Sequence, residues 1–131
     1  MIMKKILMMV KVLLGCLVTA CGSSTVAFTQ PKDYQVKIVN HSGIELDDVE
    51  ARMGKHVVSV GILPHGIDKT HGDFNHPILK EATVSFIKGE FDPDKKQPIH
   101  TRKTLIKLPE KGFKTIVYTI NKDFQIDVSF E

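Results

Sequence analysis

Tryptophan is absent from this 131-residue chain, and its two cysteines, Cys16 and Cys21, both fall within the first 21 residues. Everything after residue 21 therefore lacks a thiol. That excludes a disulfide framework, a thiolate nucleophile and cysteine metal ligands from the rest of the chain, so its stability must come from a packed core. An excess of one charge is missing as well. The formal value of +3 comes from Lys4, Lys5 and Lys11; from Cys21 onward 15 Lys and Arg balance 15 Asp and Glu. Nucleic-acid binding relies on a basic excess, so this neutrality speaks against it, and attraction to an anionic lipid surface is not indicated either. There is no Gly-x-Ser-x-Gly elbow, no phosphate-cradling glycine loop and no HExxH. Ser42, Ser59, Ser85 and Ser129 stand without a nearby paired acid and histidine, and Asp47 and Asp48 point to opposite faces of an extended chain. The residues read as non-catalytic.

What is present begins with three lysines followed by Val12-Leu13-Leu14-Gly15-Cys16-Leu17-Val18-Thr19-Ala20. This uncharged run has the length of a signal-peptide core and falls short of the roughly 20 apolar residues that a membrane-spanning helix needs. Its end, Val18-Thr19-Ala20-Cys21, resembles the lipobox of bacterial lipoproteins: a branched apolar residue, a small or hydroxylated one, alanine, then cysteine. The resemblance covers residues 1–21. It implies a signal peptide over 1–20, removed by cleavage, and diacylglycerol and a fatty acyl group such as palmitate on Cys21. Two or three acyl chains anchor a protein stably where one does not. Three competing readings are ordinary cleavage at the same site, leaving Cys21 as a free thiol; a second lipobox-like match at Leu13-Leu14-Gly15-Cys16, whose apolar core would contain Lys11; and a cytosolic protein with an apolar N-terminus, against which residues 6–20 show no amphipathic pattern. Gly22 follows the cysteine where an aspartate is associated with inner-membrane retention, so the resemblance implies the outer membrane over the inner, with the domain facing the periplasm.

Residues 21–33 suit a tether, being small and polar and including Pro31. About ten such residues have a mean span of roughly 16–19 Å. Residues 34–131 form one domain, since 111 residues from Cys21 are too few for two. Their apolar pattern has period two. Tyr34, Val36 and Ile38 alternate with polar residues, as do Val49, Ala51 and Met53, then Ala82, Val84 and Phe86, and finally Phe124, Ile126, Val128 and Phe130. Turn residues separate these runs at Asn40-His41-Ser42-Gly43, Gly54-Lys55, Leu63-Pro64-His65-Gly66, Pro109-Glu110-Lys111-Gly112 and Asn121-Lys122-Asp123. No helical periodicity and no internal repeat is found. The expectation is an all-β, antiparallel sandwich of seven to eight strands, ending in a three-stranded meander over about 99–108, 113–120 and 123–131. Residues 39–49 and 61–66 resemble the opening of small bacterial immunoglobulin-like envelope domains. That likeness implies a fold class and brings no active site with it.

Three of the six histidines, His65, His71 and His76, cluster with Asp73. Imidazole and carboxylate suit zinc or copper. The spacing fits no established zinc motif, so the rival expectation is that these are solvent-facing loop and edge-strand residues. Asp92-Pro93-Asp94 begins like a calcium loop but lacks the glycine, the further oxygen ligands and the final glutamate, and Lys95-Lys96 oppose a cation. Val57-Val58 and Val117 exceed what one inner face needs, which favours a contact surface. The expectation for function is thus a membrane-anchored periplasmic lipoprotein acting as a non-catalytic protein-binding or structural module of the cell envelope. It has a protein partner and no cofactor; the alternative is a metal-binding protein using His65, His71 and His76.

Overall fold

The computed structural model describes residues 33–131. The segment read as a signal peptide, both cysteines and the residues up to 32 of the stretch read as a tether lie outside the described residues. Eight strands follow one another: β1 (Tyr34–Asn40), β2 (Leu46–Met53), β3 (His56–Leu63), β4 (Asp68–Phe74), β5 (Glu81–Lys88), β6 (His100–Leu105), β7 (Thr115–Ile120) and β8 (Ile126–Phe130). They form two four-stranded sheets, ordered β4-β1-β7-β8 and β3-β2-β5-β6. Among the described residues there is no helix. The arrangement is a β-sandwich, compatible with an immunoglobulin-like fold.

Alternation creates the core. In β1 the side chains of Tyr34, Val36, Ile38 and Asn40 are buried and those between them are half-buried. Leu46, Val49, Leu63, Val84, Phe86, Ile116 and Ile120 complete a layer from which water is excluded. The alternation read at the C-terminus holds: Phe124, Ile126, Val128 and Phe130 pack against this core, and Gln125, Asp127 and Ser129 are exposed. Val117 is buried although it lies on the opposite face of β7 from Ile116 and Tyr118; it is in register with Lys37 and Ser129 of its flanking strands. A central strand covered on both faces reads as a continuous apolar run.

The C-terminal meander is corrected. β7 and β8 do pair antiparallel, but β6 pairs with β5 in the opposite sheet. The connection 106–114 has nine residues, longer than a hairpin loop. It spends them crossing the roughly 10 Å between sheets, with Ile106, Leu108 and Phe113 packed on the core as it goes. Pro109 to Gly112 is thus part of a sheet-to-sheet crossing. The sandwich is also not wholly antiparallel. β1 lies parallel to β7, Gln35 opposite Thr115 through Asn40 opposite Ile120.

Because each strand reverses the chain, successive connections fall at alternate ends. The start of β1 at Tyr34, the hairpin 54–55 and the connections 75–80 and 106–114 lie at one end, the near pole, where the preceding residues enter. The connections 41–45, 64–67, 89–99 and 121–125 lie at the other, the far pole.

Candidate functional site

The histidines read as a cluster are drawn apart. β4 has seven residues and so spans about 23 Å. His65 precedes it at the far pole, His71 sits within it opposite Val36, and His76 follows it at the near pole. His65 Nδ1 accepts a hydrogen bond from the Gly43 amide at 3.0 Å. His71 and Asp73 are exposed on β4, an edge strand exposed almost throughout, and Asp73 takes φ 67°. Among the described residues no group of three or more His, Cys, Asp or Glu is placed to hold a metal ion. The donors do not fit zinc or copper as a set.

His76 finds a different neighbour. Its ring stacks on that of His56, centroids 3.3 Å apart and 7° between planes. Two parallel imidazoles at that spacing aim their lone pairs within separate planes, so they do not converge on one ion. His76 Nε2 is 2.6 Å from the Tyr34 hydroxyl. Burial pushes the Tyr34 phenol up to about 12, and burial, then His56, lowers His76 from its ordinary value. The phenol therefore keeps its proton and donates, and the imidazole accepts in its neutral form. The cavity bordered by Tyr34, Met53, His56, Phe74, His76 and Tyr118 measures about 20 Å³. That is room for one water. Its chemistry is that of a packed ring cluster closing one end of the sandwich. Nothing in the spacing of His56, at the β2–β3 hairpin, and His76, in the connection 75–80 between the two sheets, marked them as partners.

The far pole is built on one buried amide. Asn40, fully buried, donates through Nδ2 to the carbonyls of Ile44 at 2.8 Å and Leu63 at 2.7 Å. Its Oδ1 accepts from the amide and hydroxyl of Ser42 at 2.9 and 2.6 Å. The main chain of Asn40 also bonds Ile67 and Gly66, so connections 41–45 and 64–67 are fastened to the same residue. The third connection is fastened to the first by Gly89 N to Glu45 O, and Asp47 Oδ2 accepts from the Phe91 amide. Within it Gln97 bridges Asp92 N and Glu90 O, and the Asp92 carboxylate accepts from Asp94 N. The Asp92-Pro93-Asp94 carboxylate thus closes its own turn. From this braced frame Ile44, Ile67 and Phe91 project with 41%, 47% and 52% of their surface in solvent.

The sheet edges are partly guarded. Lys69 Nζ on β4 donates to the edge carbonyls of Val60 and Ile62 on β3 at 2.9 and 2.8 Å. On the other side Arg102 of edge strand β6 reaches the Phe124 carbonyl. Phe124 takes φ 59°, rare for an aromatic residue, with its ring under the Lys88 ammonium at 3.8 Å and beside Phe86.

No family model matches the chain, and no curated protein matches it. Among solved structures, an NMR structure of a protein from Eubacterium rectale is similar, with a TM-score of 0.47 and 7% identity, over 79% of this chain and 93% of that one. A likeness of this size carries no argument about function.

Proposed function

We propose that this chain is a lipoprotein of the bacterial cell envelope, held to the outer membrane by acyl chains on Cys21, whose sandwich binds a protein partner in the periplasm without catalysis. The observation that carries the reading is the far pole: apolar side chains of Ile44 and Ile67 displayed on connections pinned by Asn40, and of Phe91 on a connection fastened to Glu45 and Asp47. Loops usually expose polar residues and move. Apolar tips on braced loops are what a binding surface needs, because little conformational entropy is lost when a partner covers them. The far pole is also opposite the end at which the chain enters β1, so an anchor at Cys21 leaves it pointing away from the membrane. The lipobox-like Val18-Thr19-Ala20-Cys21 supplies the anchor.

Two measurements test this. Radiolabelled palmitate should enter the wild-type protein and not Cys21→Ser; an unlabelled wild type removes the anchor. A photo-crosslinking residue at Phe91 should give one discrete adduct in intact cells, lost when Ile44→Asp and Ile67→Asp are added, and the same probe at Lys55 on the near pole should give none of it. Equal capture from both poles would sink the assignment of the binding face.

A further inference from the structure

The near pole carries a charge that the neutral composition hides. Its three connections hold Lys55, Lys80, Lys107, Lys111 and Lys114 against one acid, Glu110. All five lysines are exposed. At the strand ends beside them stand Asp33 and Glu81, and Glu131, which Lys37 already binds at 2.8 Å. The far pole has the opposite balance. Glu45, Glu90, Asp92, Asp94 and Asp123 in its connections outnumber Lys95, Lys96 and Lys122. Charges that alternate along the chain are thus sorted to the two ends, and the molecule has a basic base and an acidic tip.

We propose that the near pole is a docking surface for a lipid leaflet bearing anionic headgroups. This rests on the anchoring proposed above, which fixes where the pole is. The stretch from Cys21 to Asp33 reaches no more than roughly 40 Å even at full extension, and it enters the domain at this same pole. A tether of that reach lets these lysines come up to the leaflet, where the surface potential of anionic lipid, decaying over about 10 Å at 0.1 M salt, acts on them. Apolar groups accompany the charge. Leu79 is exposed beside Lys80, and Leu108, Pro109 and Phe113 are half-exposed between Lys107 and Lys114. On the outer face of the second sheet, Arg52, Lys80 and Lys103 line an open groove of about 400 Å³ with Leu79 and Glu81. Arg52 is already 3.2 Å from the Glu50 carboxylate, so Lys80 and Lys103 are the cations that the groove presents to a phosphate headgroup. A protein partner would need a complementary acidic face; the leaflet is the anionic surface that the anchor itself brings near.

The test uses the acylated full-length mature chain in vesicles of phosphatidylcholine, alone or mixed with phosphatidylglycerol. Lysine acetylation, read by mass spectrometry, reports which pole is covered. At low salt Lys55, Lys80, Lys111 and Lys114 should react several-fold more slowly in the mixed vesicles than in phosphatidylcholine, and high salt should abolish the difference. Lys95, Lys96 and Lys122 should react alike in both. Lys111→Glu with Lys114→Glu, exposed positions that leave the core alone, should restore the reactivity of Lys55 and Lys80. Equal reactivity of the near-pole lysines in both vesicles would overturn the proposal, as would protection that the double variant leaves intact. The same spectra show whether Cys21 is acylated. If it is not, the anchoring falls separately; coupling its thiol to a maleimide lipid recreates the tether, and the labelling still decides the pole.

Discussion

The two ends of the sandwich are closed by different physics. At the near pole, rings do the closing: Tyr34 lies against Phe74 and His76, and His76 against His56. At the far pole a single buried amide ties connection 41–45 to the end of β3 through directed hydrogen bonds. Ring packing tolerates small displacements, because apolar attraction is non-directional. A buried amide does not, since each bond it loses leaves a polar group stranded in the core. The difference teaches where the molecule is rigid by design: the end that displays Ile44, Ile67 and Phe91 is the end fixed by geometry.

The comparison breaks hardest at Asn40. Asn40→Ala should cost about 3–4 kcal/mol in urea unfolding, because the Ile44 and Leu63 carbonyls and the Ser42 amide lose their partner together. It should also speed hydrogen exchange in connections 41–45 and 64–67 while the near pole stays protected. Gly54→Ala comes next, at about 1–2 kcal/mol, since its φ of 61° disfavours a side chain and the new Cβ would lie 2.8 Å from Leu79 Cδ1. Tyr34→Phe deletes one hydrogen bond and keeps the ring, so about 1 kcal/mol is expected, with no change at the far pole. The smallest effect is a dependence on pH. The pKa of His76 is lower in the fold than its ordinary 6.5, by burial first and His56 second, and Arg52 borders the same cavity. A depressed pKa favours the neutral form, so the contribution is complete above pH 6.5 and is lost as pH falls through the folded value. Melting temperature should therefore decline on acidification below that point, and His76→Asn should flatten the slope.

Much of the fold was legible because β-strands write their orientation into alternate residues. Tyr34-Val36-Ile38 and the run from Phe124 to Phe130 took the faces their spacing required. Pairing was less legible. β6 offers His100, Arg102 and Thr104 to the inside, all half-buried, and Leu105 lies 72% exposed; such a strand suits any edge, and its sequence does not name the sheet. The site was the least legible. Proximity along the chain suggested His65, His71 and His76, whereas an extended strand carries its two ends as far apart as any structure can, and His76, in a connection between the sheets, met His56 of the β2–β3 hairpin. Charge was hidden for a related reason. Connections alternate between poles, so basic and acidic ones cancel in any count taken along the sequence.

The parallel seam between β1 and β7 joins residues 80 positions apart, as at Gln35 and Thr115. The first strand can find this neighbour only after nearly the whole domain has been synthesised, and such distant pairing is slow to form. A nascent polypeptide with that wiring stays loose while it is being made. If the chain is exported as proposed above, that looseness suits threading through a narrow channel, and the seam is completed only once the β7–β8 hairpin is available.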